Sequence, residues 1–410
     1  MISRSQVKNV LITGLGDRLG FKGKIINFVV KYVKKMVPKF NLPQAVDFNR
    51  ALSAGAKLPY AEVASSLSDV AFLQYTGGTT GPSKGAMLSH GNMLANATQF
   101  RTWIGSVVEA GVDVAVTPLP LYHIFSLTVC CLSYIGLGAE CMLITNPRDI
   151  PGFIKILKEN PGTFFVGINT PYNALVNHPD AKDIDTSKLK FCGSGGMSTQ
   201  HAVSEKWFAL TGKHIIEGYG LTETSPVVSC NPIHKIKVET VGPPFKGNLV
   251  KIADDGEILV KGENVMLGYW NKKEETDKVI IDGWLHTGDI GEIDVEDGYL
   301  KITDRKKDII VSAGGDNISP AKIENMITNE PEIDQCMVYG DKKNYLVALI
   351  VPNKDFLNEK EKINKVIEKI NKKLTLLEKI KKIQLIDENF SIENGLMTPT
   401  MKVKRKKVTE

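Results

Sequence analysis

The sequence predicts an α/β protein, a large layered α/β domain followed by a small α+β domain. Three observations carry this. Apolar runs of strand length alternate with helical patterns through most of the chain. At 410 residues, with 42% hydrophobic and 24% charged positions, the chain is too long for one ordinary domain and apolar enough to build cores. Its character also changes late: Lys307 to Glu410 carries 19 basic and 16 acidic residues, about one position in three.

The elements follow in order. In residues 21–37, Ile25, Ile26, Val29, Tyr32, Val33, Met36 and Val37 fall on one helical face, Lys31, Lys34 and Lys35 on the other, and Pro38 ends the pattern. Such a helix either packs on its own domain or lies on an anionic membrane surface. Val114–Thr117, Cys141–Ile144, Phe164–Gly167, Ile258–Val260 and Ile309–Val311 read as strands, and Pro151–Lys158 and Thr199–Leu210 as helices between them. Late in the chain, Gln335–Gly340 and Tyr345–Val351 read as strands. Ile363, Val366, Ile367, Ile370, Leu374 and Leu377 make a helical stripe among lysines. The domains are expected at 1–306 and 307–410.

Composition narrows the function classes. A net charge of +5 without a basic stripe and interleaved aromatics speaks against nucleic acid as a partner. Cys130, Cys131, Cys141, Cys192, Cys230 and Cys336 form no CxxC pair and no metal-ligand spacing, so reduced core thiols are expected. Met1 to Gln6 is polar and reads as no signal peptide, and no run approaches the ~18 apolar residues of a spanning helix. A cytoplasmic protein is expected, with peripheral association at the cytoplasmic face of the inner membrane if the 21–37 helix serves as an anchor.

The densest motif is Tyr75-Thr-Gly-Gly-Thr-Thr-Gly-Pro-Ser-Lys-Gly85. Its small residues let backbone amides approach a polyphosphate, its hydroxyls add donors and Lys84 adds a point charge. It is no Walker A loop, because Ser83 rather than glycine precedes Lys84. Followed by Ala86-Met-Leu-Ser-His90, it resembles the nucleotide loop of the adenylate-forming superfamily. Pro120-Leu-Tyr-His-Ile-Phe125, Gly193-Ser-Gly-Gly196, Glu217-Gly-Tyr-Gly-Leu-Thr-Glu223, Gly283-Trp-Leu-His-Thr-Gly-Asp289, Asp304-Arg-Lys-Lys-Asp308 and Thr398-Pro-Thr-Met-Lys402 follow in that family's order. Within the superfamily the chain resembles bacterial long-chain fatty acid–CoA ligases.

The resemblance implies a carboxylate attacking the α-phosphate of ATP, then coenzyme A attacking the acyl-adenylate. It implies that Thr76, Gly77, Gly78, Thr79, Thr80, Gly81 and Lys84 cradle phosphates. Gly218, Tyr219, Gly220 and Thr222 would surround adenine and the α-phosphate, and Glu223 with Thr76 would bind Mg²⁺. Asp289 and Arg305 would hold the ribose. Lys402 would meet the α-phosphate and the substrate carboxylate. His123, Phe125, Asn169, Tyr172, Gly193, Gly195 and Gly196 would line the acyl site, Lys307 would be the hinge of a mobile small domain, and Gly314 and Gly315 would approach the thiol tunnel. Another acid–CoA ligase, an aryl- or amino-acid adenylating ligase, and a catalytically incomplete nucleotide-binding fragment stand as alternatives.

Two departures from the pattern carry expectations. The family's large domain starts well before its phosphate loop, so the first part of that domain is expected to be lacking here. Unpaired sheet edges and exposed apolar surface should follow. The stretch near 230–250 is compact and reads as a seam between two branches of the family.

Overall fold

The computed structural model describes residues 5–76, 83–196, 198–391, 393–397 and 403–410. It has two compact units, divided between Ser65 and Ser66. The sequence reading had no boundary there. Residues 56–65 leave regular structure, with Leu58 and Tyr60 exposed.

In the first unit, β1 (Val10–Ile12) precedes α1 (Gly20–Phe28), which runs on as a π-helical stretch, Val29–Val33. Then β2 (Ala45–Asp47) pairs in parallel with β1 and leads into α2 (Phe48–Gly55), which Asp47 caps. The predicted 21–37 helix is thus formed over 20–33. Ile26, Val29 and Val30 are half-buried, but Phe21, Phe28, Tyr32, Val33 and Met36 are exposed. Packing on its own unit therefore accounts for only part of the stripe.

The second unit opens with β3 (Val70–Tyr75) and β4 (Gly85–Ser89), which flank the phosphate loop as an antiparallel pair. Among the described residues β3 lies at the margin of its sheet, with Leu73 and Tyr75 exposed. Ser89 and Asn92 form a capping box that starts α3 (His90–Ile104). There follow β5 (Val114–Thr117), a π-helical segment Ser126–Ser133 running into α4 (Tyr134–Gly136), and β6 (Glu140–Leu143). Next come α5 (Ile150–Glu159), capped by Asp149 with Pro151 in its first turn, β7 (Phe164–Gly167), α6 (Asn169–Val176), β8 (Phe191–Gly195), α7 (His201–Thr211), β9 (Ile215–Gly220) and β10 (Val227–Cys230).

These strands form a sheet in the order β10-β9-β8-β7-β5-β6, parallel except for β10. Its runs are apolar on both faces because both are covered. Ala115, Phe164, Val166, Phe191 and Ile216 pack beneath α3 and the π-helical segment. Their neighbours Val116, Phe165, Cys192 and Ile215 pack against α5, α6 and α7.

Beyond the sheet come β11 (Leu249–Ile252), β12 (Glu257–Lys261), β13 (Gly268–Tyr269), α8 (Lys273–Asp277), β14 (Ile280–Ile281), β15 (Trp284–Ile293) and β16 (Leu300–Arg305). One sheet runs β11-β12-β15-β14 with β16 also on β15, while β13 joins β4 and β3. The compact 230–250 connection is tied to both sides: Asn231 donates to Thr240, Phe245 to Val228 and Val241 to Leu300.

The last part holds β17 (Ile310–Val311), β18 (Asn317–Ile318), α9 (Pro320–Thr328), β19 (Ile333–Tyr339), β20 (Leu346–Pro352), α10 (Lys360–Asn371), β21 (Ile380–Leu385) and α11 (Arg405–Thr409). One core is built entirely from residues of this part, including Ile323, Ile327, Ile350, Ile363 and Ile370. The predicted stripe holds through Leu374, but α10 ends at Asn371 and Leu377 is exposed. All six cysteines are unpaired, with Cys130, Cys192, Cys230 and Cys336 buried.

Candidate active site

Ligands of parallel α/β sheets collect at the carboxyl ends of the strands. That end is where the chain sets its motifs. Phe125 follows β5, Asn169 follows β7, Gly196 follows β8, and Tyr219 to Glu223 closes β9.

A cleft of about 660 Å³ opens there, lined by Lys84, Glu223, Tyr269, Lys278, Arg305, Lys307 and their neighbours. The loop bearing Glu223 is pinned from below. Asn264 Nδ2 donates to the Thr224 carbonyl at 2.9 Å and Met266 N–H to the Glu223 carbonyl at 2.8 Å. The Tyr269 hydroxyl donates to Glu223 Oε1 at 2.7 Å, and Lys84 Nζ stands 4.7 Å from the Tyr269 ring centre. Gly220 runs so close to Pro226 that a Cβ there would lie 2.0 Å from its carbonyl oxygen.

On the facing sheet Asp289 and Arg305 are cross-strand partners on β15 and β16. Arg305 Nε meets Asp289 Oδ1 at 3.0 Å, and the Tyr219 hydroxyl donates to Asp289 Oδ2 at 2.7 Å. Burial, with the Asp289 charge adding to it, raises the Tyr219 phenol well above its ordinary value, so it stays a donor. Burial pushes the Lys307 ammonium down. Thr76 continues the β3–β4 pairing, its N–H donating to the Lys84 carbonyl at 2.9 Å.

The structure thus brings Lys84, Glu223, Arg305 and Lys307 to the lining of one cleft, with Asp289 and Tyr219 joined in turn behind Arg305. Gly77, Gly78, Thr79, Thr80, Gly81 and Lys402 lie outside the described residues.

The acyl-site candidates divide. Phe125 packs over Gly195, where a Cβ would sit 3.2 Å from its ring, and His123 Nδ1 accepts from the Phe125 N–H at 3.3 Å. Gly196 follows β8 with φ +78° and Asn169 Oδ1 accepts from the Gln200 N–H. Tyr172 requires a correction. It is fully buried against Phe165 and Trp207, and its hydroxyl donates to the Phe165 and Gly193 carbonyls. It is a core residue that braces β7 and β8, and Gly193 lies within that buried sheet. Gly314 and Gly315 lie in the turn between β17 and β18, outside the cleft lining. A second cavity of about 540 Å³, beside α3, Trp103 and Phe245, holds none of the predicted residues.

Sequence reasoning missed Tyr269, Glu275, Lys278, Glu257, His286 and Lys306. His286 lies inside Gly283–Asp289, Lys306 sits between Arg305 and Lys307, and Glu257 directly precedes the Ile258–Val260 run. Tyr269 and Glu275 carried no local signal, because their contacts come from β13 pairing with β4.

The "AMP-binding enzyme" family model matches residues 15–270, and that of the "AMP-binding enzyme C-terminal domain" matches 307–410. The chain belongs to the AMP-binding enzyme family. It is 45% identical over 371 residues to a long-chain-fatty-acid–CoA ligase of Salmonella typhimurium, covering 87% of this chain and 66% of that one. ATP-bound MatB from Rhodopseudomonas palustris superposes with a TM-score of 0.76 at 26% identity, covering 89% and 73% of the two chains. The anthranilate–CoA ligase AuaEII, at 23% identity, has the same fold, with a TM-score of 0.78 and 93% and 75% covered. The chain thus spans slightly under two thirds of the Salmonella relative's length.

Proposed function

We propose that this chain carries the machinery of a long-chain fatty acid–CoA ligase: it activates a fatty acid with ATP through an acyl-adenylate and passes the acyl group to coenzyme A, releasing AMP and pyrophosphate. The observation that supports it most is the convergence of Lys84, Glu223 and Arg305 on one cleft, with Arg305 backed by Asp289 and Tyr219. The 45% identity to ligases of that name points to the same substrates.

In this reading Asp289 accepts the ribose hydroxyls, oriented by Tyr219 and Arg305. Lys84 meets the terminal phosphates and Lys402 the α-phosphate, where charge builds during adenylation. Among the described residues no group of three acidic, histidine or cysteine side chains is placed to hold a metal. A lone Glu223 carboxylate with the Thr76 hydroxyl nonetheless suits Mg²⁺, which takes few protein ligands when phosphates supply the rest. Mg²⁺ bound there would neutralise phosphate charge. His123 and Phe125 line the carboxylate end of the acyl site, Gly195 and Gly196 let the backbone pass close to the acyl chain, and Asn169 lines its tunnel. Residues 1–306 act as the large domain and 307–410 as a small one turning at Lys307, with Gly314 and Gly315 facing the thiol path in the second orientation.

Among the described residues no helix is long and apolar enough to cross a membrane. The exposed apolar residues of α1 beside Lys31, Lys34 and Lys35 support peripheral docking on an anionic bilayer. Fatty-acid-dependent ATP–pyrophosphate exchange by the purified chain tests the reading. Exchange that requires a long-chain acid supports it. Exchange driven by aryl or amino acids instead, or none from a folded chain, rejects it.

A further inference from the structure

Lys84 does not face the phosphate end of the cleft alone. Because β13 pairs with β4, placing Gly268 opposite Met87 and Tyr269 opposite Ala86, the helix that follows, α8, is carried against the exit of the phosphate loop. The corner is tight. The Tyr269 N–H donates to Thr276 Oγ1 at 2.9 Å, and the Trp270 N–H donates to the Gly85 carbonyl at 2.8 Å. Glu275 on α8 then receives Lys84 on Oε2 at 2.9 Å and Lys278 on Oε1 at 2.7 Å. Both lysines line the cleft. Hydrogen bonds from Lys278 and Lys84 hold the Glu275 carboxyl down at about 2, so it is an anion at every working pH. One carboxylate is thus shared by two ammonium groups that line the cleft, each of a kind that binds phosphate oxygens.

We propose that Lys278 is a second polyphosphate-binding cation, paired in function with Lys84. Glu275 is the internal anion that holds both lysines until the terminal phosphates of a nucleotide, or inorganic pyrophosphate, displace it. This rests on the reading of Tyr75–Gly85 as the phosphate loop. A phosphate outcompetes the carboxylate because it brings more charge and more acceptor oxygens to the same two donors. When pyrophosphate departs, Glu275 returns to the lysines and opposes its rebinding. Lys273, which pairs with Asp277 at 2.7 Å on the same helix but does not line the cleft, is an internal control.

The test is calorimetric binding of inorganic pyrophosphate and of ATP, each with Mg²⁺, to the full chain and its variants, with melting curves alongside. Lys278→Gln should weaken pyrophosphate binding roughly 5- to 20-fold, the scale of one partly exposed charged contact. Lys278→Arg should largely preserve it, Lys273→Gln should leave it unchanged, and Glu275→Gln should tighten it several-fold. If Lys278→Gln behaves like Lys273→Gln while Lys84→Gln loses binding, Lys278 is a solvated helix-end charge and the proposal falls alone. If Glu275→Gln weakens binding, Glu275 positions Lys84 rather than competing for it, and the displacement is overturned. If the unaltered chain binds neither ligand, or Lys84→Gln changes nothing, the phosphate-loop reading itself falls and takes the proposal with it.

Discussion

Glu257 shows what a single side chain can govern in this fold. Its side chain is 5% exposed, and it accepts from the Gly288 N–H at 2.8 Å, from Lys306 Nζ at 2.8 Å and from His286 Nδ1 at 3.1 Å. It therefore ties together the strand that bears Asp289 and the residue after Arg305. Burial alone would raise its carboxyl, but Lys306, His286 and Gly288 outweigh burial and hold it below the ordinary 4.5. A depressed carboxyl adds stability above its unfolded value, and that stability is lost as the pH falls through the lower folded value. Glu257→Gln should thus cost about 1–3 kcal/mol at neutral pH. The gap to the unaltered chain should close below pH 4.5. Denaturant titrations from about pH 7 to about pH 3.5 would show it, and a gap that does not change with pH would refute the assignment. At this scale the site was legible wherever chemistry sits in one contiguous motif, as with Tyr219, Glu223, Asp289 and Arg305. It was illegible where a contact spans 191 positions, as between Lys84 and Glu275.

Among elements, the β13–α8 corner controls the most from the fewest residues. Gly268 has φ +140°, and a Cβ there would come within 2.7 Å of Thr276 Cγ2. Gly268→Ala should destabilise the protein by about 1–3 kcal/mol. Because the corner carries Tyr269 and Glu275, the KM for ATP should rise several-fold as well, with less effect on the KM for coenzyme A. Equal changes in both constants would mean that the damage is global. The strands were easy to read, since Val114–Thr117 and Phe164–Gly167 are continuous apolar runs of strand length and form as expected. Element ends were harder. The stripe through Leu377 implied a longer α10, but Asn371 bonds the Ile380 backbone in both directions, at 2.9 Å and 2.8 Å, and turns the chain into β21. No periodicity encodes that clasp.

For the molecule as a whole, the proposed division of labour between residues 1–306 and 307–410 makes a kinetic prediction. Lys402→Ala should slow adenylate formation by roughly 10²–10³-fold, the loss seen when one transition-state donor is removed. Thioester formation from preformed acyl-adenylate should change far less, and equal losses in both half-reactions would remove the role given to Lys402. A second prediction concerns α1 and its continuation. Replacing Lys31, Lys34 and Lys35 together by glutamine should lower partition onto anionic vesicles by roughly one to two orders of magnitude, with no effect on neutral vesicles. Unchanged partition would leave the exposed Phe28, Tyr32 and Val33 without a membrane role. The separate core late in the chain was legible from the change in character after Lys307, whereas the division at Ser65 was not, because no shift in composition marks it.

The buried sulfurs bear on the redox chemistry of the core. Burial pushes the Cys130 and Cys192 thiols up to about 12, and those of Cys230 and Cys336 are raised as well. Exchange with a disulfide proceeds through the thiolate, so these four are chemically silent at neutral pH. Under the proposed function, with coenzyme A as the thiol substrate, these four positions would be poor sites for mixed disulfides with its oxidised dimer.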